Sequence, residues 1–158
     1  MKNEKNKLKI IVAVLSVLLV LSVIFIFSNS LKTSAQSNRE SGRMARIIGP
    51  IIDAIFGEGR LDINYVVRKG AHFVEFAALG FFTYALSLSV MLYKNVKVPF
   101  CGIFGTLAVA VADEYIQLFT GRTSSVSDII IDFSGAIFGM LAGFLICLLV
   151  RRIRKGKQ

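Results

Sequence analysis

Four runs of apolar residues divide the chain, at Leu8–Phe27, Phe73–Tyr93, Val98–Phe119 and Ile129–Val150. Each holds about 20 residues, which at ~1.5 Å per residue of α-helix crosses a hydrocarbon layer of about 30 Å. The pattern predicts an all-α fold: a polytopic membrane protein built as a four-helix transmembrane bundle, one domain over 1–158 with spans at 8–28, 70–93, 98–119 and 128–150. Segment 29–69 is the one long connection. Its first part, from Ser28 to Ser41, is polar and rich in Ser, Asn and Gln. Met44, Ile47, Ile48, Ile51, Ile52 and Ile55 then recur at helical spacing, with Arg39, Arg43 and Arg46 on other faces. This periodicity predicts an amphipathic helix, lying on the membrane surface or packed over the mouth of the bundle, with a break near Gly49-Pro50. Gly57-Glu58-Gly59 marks a turn before the second span.

Composition agrees with the pattern. The 158 residues are 54% apolar, more than a soluble core requires. The net charge of +9 suits nucleic acid in principle, but its placement points to a bilayer. Lys2, Lys5, Lys7 and Lys9 precede the first span, Lys94 and Lys97 fill the tight turn between the second and third, and Arg151, Arg152, Arg154, Lys155 and Lys157 follow the fourth. Four spans bring these three regions to one side, and the positive-inside rule makes that side cytoplasmic, with both termini on it. The protein is therefore expected in the cell membrane as a multi-pass protein, with the bilayer as a partner and no nucleic acid. Thr33-Ser34-Ala35 offers small residues for a signal peptidase, yet the preceding apolar run exceeds the ~7–15 residues of a signal h-region, so an uncleaved anchor is expected. Cys101 and Cys147 fall near the cytoplasmic helix ends, where small apolar fillers are a simpler reading than a disulfide.

Five of the ten acidic residues, Glu75, Asp113, Glu114, Asp128 and Asp132, sit inside or against the apolar runs, together with the only histidine, His72. A carboxylate at the centre of a spanning helix costs roughly 2.5–3.5 kcal/mol on insertion scales, so such groups face a bundle interior. Alternating helix direction brings them together: Arg68, Lys69, His72 and Glu75 open the second span, Asp113, Glu114 and Gln117 close the third, Arg122 follows, and Asp128 and Asp132 open the fourth. Arg68, His72 and Glu75 share one helical stripe, as do Asp128 and Asp132. The candidate binding site is thus Arg68, His72, Glu75, Asp113, Glu114, Gln117, Arg122, Asp128 and Asp132 on the outer face, with acids in excess over bases. His72, Glu75, Asp113 and Glu114 are the candidates for acid–base chemistry.

Several of these residues have plainer readings. Ser125-Val126-Ser127-Asp128 fits a capping box, which alone accounts for Asp128. Arg68 and above all Lys69 suit interfacial anchors, Arg122 a helix boundary, and His72 with Glu75 a structural hydrogen-bonded pair. Asp113 beside Glu114 needs two separate partners, and Asp132 lies too deep for capping. The inventory His72, Glu75, Asp113, Glu114 and Asp132 has enough ligands for a cation. It has no second histidine, cysteine pair or HExxH, so no metal and no other cofactor is expected. Gly135, Gly139 and Gly143 recur every four residues on the fourth span, and the third carries Gly105, Ala108 and Ala112. Small residues let membrane helices approach closely, here within the bundle in the first instance or, alternatively, in a homo-oligomer.

Arg68-Lys69-Gly70-Ala71-His72-Phe73-Val74-Glu75-Phe76 resembles the R-K-x-x-H-F-x-x-[YF] motif of VanZ-like membrane proteins. Asp113-Glu114-Tyr115-Ile116-Gln117-Leu118-Phe119, then Arg122 and Asp128, resembles that family's D-E-x-x-Q-x-F…R…D pattern, and Phe27-Ser28-Asn29-Ser30 its F-S-x-S start. The chain departs in having Thr120-Gly121 where Pro-Gly is often found and Glu75-Phe76 where Glu-Tyr is common. The resemblance covers nearly the whole chain. It implies a bacterial envelope protein of a family whose founding members are linked to low-level teicoplanin resistance, and it supplies no reaction.

The expected function is therefore an influence on glycopeptide susceptibility through the outer-face polar site, with a peptidoglycan precursor or the glycopeptide itself as ligand. An intramembrane enzyme acting on a lipid-linked envelope precursor is the alternative, with His72 and Asp113 or Glu114 as base and acid. The absence of a nucleophile or metal motif leans against an enzyme. A small proton- or cation-coupled transporter is a third class, and the lack of any charged side chain in 76–93, 98–112 and 133–150 counts against it.

Overall fold

A computed structural model describes residues 2–96 and 101–156. They form five helices: α1 (Lys2–Ser30), α2 (Ser34–Phe56), α3 (Ile63–Lys94), α4 (Cys101–Leu118) and α5 (Val126–Lys155). All but α2 are long and apolar enough to cross a membrane. Lys97 and the expected beginning of the third span at Val98 lie outside the described residues. Cys101 and Cys147 are free thiols.

The connection between the first two spans carries more helix than periodicity alone suggests. Thr33 caps α2 with a reciprocal box: its hydroxyl accepts from the Gln36 amide, and the Gln36 side chain accepts from the Thr33 amide. The polar stretch after it is therefore helical, and α2 begins well before the isoleucine repeat. The helix also runs through Pro50 without the expected break. Proline removes one backbone bond there, and docking holds the helix together: Gly49 is buried against Ile63 in the first turn of α3. Ser41 and Gly49 form the docked face, while Met44, Ile47, Ile51 and Ile55 remain exposed. The helix covers the mouth of the bundle through small residues, which leaves its apolar stripe free to face lipid. Gly57, at φ 94°, ends it, and the Asp62 carboxylate caps α3 through the Tyr65 amide.

α3 touches each of the other four helices and packs most extensively against α5. The α3–α5 contact is a meeting of backbones. A Cβ at Gly80 would collide with the Ala136 carbonyl, one at Gly135 with the Phe73 carbonyl, and one at Gly139 with the Ala77 carbonyl. Gly143 lies under the Tyr84 ring. The partners advance together along both helices, so α3 and α5 run in the same direction. The stripe Gly135, Gly139 and Gly143 is thus buried inside the bundle. α3 occupies the face that these glycines present. Phe73 against Phe138 (5.6 Å between ring centroids) and Tyr84 against Phe144 (6.3 Å) flank the contact.

The fully buried apolar core is small: Ile26 on α1, Phe76 and Leu79 on α3, Ala110 on α4 and Ala136 on α5. One helical turn nearer the mouth, on the same faces, stand Ser30, His72, Asp113 and Asp132. Each of these four helices therefore presents an apolar residue and then a polar one to the same interior axis. The glycine contact makes a direct prediction. Gly139→Leu should cost about 2–4 kcal/mol of stability, because the Ala77 backbone cannot yield as a side chain would. Gly105→Ala, with nothing near its would-be Cβ, should be neutral or slightly stabilising. Thermal unfolding of the detergent-solubilised variants checks this, and equal melting temperatures for the two would refute the packing argument.

Candidate functional site

The polar layer is assembled from the C-terminal ends of α1 and α4, the N-terminal halves of α3 and α5, and the loop between α4 and α5. Asp113, Glu114, Gln117 and Asp132 are buried almost completely. Groups so placed need partners, because an unpaired buried charge is expensive. Asp113 accepts from Ser30 Oγ and from Gln117 Nε2 (2.9 Å). Glu114 shares Gln117 Nε2 (2.9 Å) and accepts the Ser125 amide at 3.1 Å. The two adjacent acids thus have the separate partners their proximity demands, with one glutamine bridging them. The neighbouring loop is fixed by Gly121, at φ 69°, whose carbonyl accepts from Ser34 Oγ at 2.8 Å, and this turn aims Arg122 inward.

Ser125 is the N-cap of α5, as its sequence suggests, with its hydroxyl accepting from the Asp128 amide. The Asp128 carboxylate does not complete a capping box but pairs with Lys69. Lys69 in turn lies over the Tyr65 ring at 5.4 Å, so it is tied into the site more firmly than a free interfacial anchor. Nor do His72 and Glu75 form the pair their spacing allows. Glu75 turns to α1 and accepts from Asn29 Nδ2 at 2.8 Å. His72 turns to α5 and α4, its Nδ1 lying 3.5 Å from Asp132 Oδ1 and 3.8 Å from Asp113 Oδ2. On the other ring nitrogen, Arg122 Nη2 stands 3.3 Å from Nε2.

Above this layer opens a polar cavity of about 430 Å³. Arg68, Lys69 and Arg122 line it with His72, Glu114, Asp128 and Asp132, and Ser34, Ser37 and Asn38 of α2 form one wall. A smaller cavity of about 170 Å³ lies between α1, α2 and α3, where Asn29, Glu75, His72 and Arg122 meet. Among the described residues, Arg68 and Arg122 have no carboxylate at salt-bridge distance. Burial pulls the Arg122 guanidinium below its usual pKa and the neighbouring Arg68 adds to this, against the pull of Asp113, Glu114 and Asp128. Both guanidiniums line the cavity, and arginine forks suit anionic groups.

The structure brings all nine sequence-derived residues to this end of the bundle and divides them between two cavities and the layer beneath. Sequence reasoning left out Asn29 and Ser30 as site residues. Their signal was the short polar run that ends the first apolar segment, but their partners lie 46 and 83 residues away and have no local trace. Ser30→Ala should leave Asp113 short of a donor and cost about 1–2 kcal/mol of stability, and Asn29→Ala should act similarly on Glu75. Ser28→Ala, whose hydroxyl only back-bonds to the Ile24 carbonyl, should change little. Melting curves of the three variants decide this; a Ser28 variant as damaging as the other two would count against it.

No curated protein and no solved structure matches the chain. A family model does, over residues 13–150, a range that contains all of α2, α3 and α4, most of α1 and α5, and the whole polar layer. The chain belongs to the VanZ/LLP1 family.

Proposed function

We propose that this protein acts at the cell envelope, where its polar cavity opens on the outer face of the membrane and binds an anionic envelope ligand, lowering susceptibility to teicoplanin. The observation that carries the reading is the pair of guanidiniums, Arg68 and Arg122, that line the cavity without carboxylate partners among the described residues. Arginine forks suit phosphate or carboxylate groups, which peptidoglycan precursors carry. Helix direction supports the orientation: the basic residues flanking the start of α1 and the end of α5 lie at the end of the bundle opposite the cavity. Membership of a family linked to glycopeptide resistance supports the phenotype.

An enzymatic reading draws on His72, which lines the cavity between two buried acids. It makes the same site act on a lipid-linked precursor, with His72 taking a proton from the substrate.

Susceptibility of a host expressing the protein tests the proposal. The wild type should raise teicoplanin resistance more than vancomycin resistance. Arg68→Ala and Arg122→Ala should abolish the gain, each removing a charge-assisted contact worth ~1.5 kcal/mol, about tenfold in ligand affinity. Arg152→Ala, at the opposite end, should behave as wild type. If both cavity variants reach the membrane and still protect the cells, the cavity is not the site. Altered lipid-linked precursors in the wild-type strain, lost in His72→Ala, would favour catalysis over binding.

A further inference from the structure

The floor of the cavity holds an arrangement that hydrogen bonding leaves incomplete. Asp132 is 1% exposed and its Oδ2 has no hydrogen-bond partner, and neither has His72 Nδ1. Asp113, fully buried, turns Oδ2 towards the same point, and one ligand atom from each of the three residues lies within 4.8 Å of the other two. The separations of 3.5 and 3.8 Å between His72 Nδ1 and the two carboxylates are long for hydrogen bonds. They are close to the edges of a coordination polyhedron, which run about 3–4 Å when metal–ligand bonds are ~2.0–2.2 Å. The geometry points to a divalent transition-metal site formed by His72 Nδ1, Asp113 and Asp132.

Charge and donor type fit this assignment. Two carboxylates balance a divalent ion in a place where no lysine or arginine pairs with either acid among the described residues. One imidazole with two carboxylates is a mixed donor set of the kind that suits Mn²⁺ or Zn²⁺. Ser30 and Gln117 already hold Asp113 through hydrogen bonds, the outer-shell support that orients a ligating carboxylate. The three members come from three helices and stand within the larger sequence inventory of His72, Glu75, Asp113, Glu114 and Asp132, with no spacing that resembles a metal motif.

Arg122 sets a condition on loading. A guanidinium only donates, so its contact makes His72 Nε2 the acceptor and leaves the neutral ring's proton on Nδ1. Ligation through Nδ1 moves that proton to Nε2 and releases Arg122. The ion and the Arg122–His72 contact therefore exclude one another, and loading frees a guanidinium at the cavity wall.

The test uses the full chain in lipid nanodiscs, stripped with a chelator and titrated with Mn²⁺ while free Mn²⁺ is followed by electron paramagnetic resonance. The wild type should bind one ion per chain. Asp132→Asn should weaken binding about tenfold or more. Arg122→Gln, which removes the competing donor and offers an acceptor to Nε2–H, should tighten it. This opposite shift keeps the test decisive if Asp132→Asn fails to fold. Absence of stoichiometric binding by the wild type, or a wild-type affinity in both variants, overturns the site. The result is read on purified protein, so unchanged drug susceptibility would sink the function proposed above and leave the cation site standing.

Discussion

The rest of the structure depends on the contact between α3 and α5, where Gly80, Gly135 and Gly139 let two parallel helix backbones touch. Close approach fixes register, since a one-residue slide would drive Cβ atoms into carbonyls. With Phe73 set against Gly135 and Ala77 against Gly139, the preceding turns have no freedom left. His72 must arrive beside Asp132 and Lys69 beside Asp128, as they do. A looser interface of leucines would hold the helices together without specifying which polar groups meet.

The second constraint is electrostatic. Asp113, Glu114 and Asp132 are withdrawn from water directly above an apolar core, which the bundle tolerates only as far as it supplies donors. Ser30, Gln117 and the Ser125 amide satisfy the first two acids. Asp132 is left facing a histidine at a distance too long for a hydrogen bond. Among the described residues the imbalance is confined to the floor of the cavity, and an unsatisfied buried group in an otherwise matched network asks for an explanation in function.

The cavity also depends on α2, which packs against α3. It docks through Ser41 and Gly49 and walls the cavity with Ser34, Ser37 and Asn38. Its exposed isoleucines suit the lipid surface. The buried acids take their donors from α1, α4 and the loop preceding α5, and the bond from Ser34 to the Gly121 carbonyl ties α2 to that loop.

The four spans, the helical character of the chain and the gathering of charged residues at one end follow from sequence alone. Twenty-residue apolar runs admit one solution in a bilayer, and alternating helix direction decides which ends meet. The helix cap at Ser125 is equally local, since it joins residues three apart. What tertiary structure alone decided is who pairs with whom. Spacing put His72 with Glu75 and Asp128 at a helix cap, whereas packing gave Glu75 to Asn29, Asp128 to Lys69 and His72 to Asp132. A side chain's nearest neighbour along its own helix is fixed by the 3.6-residue turn. Its partner across the bundle depends on the rotation and register of separate helices, and here three backbone contacts at glycine set both.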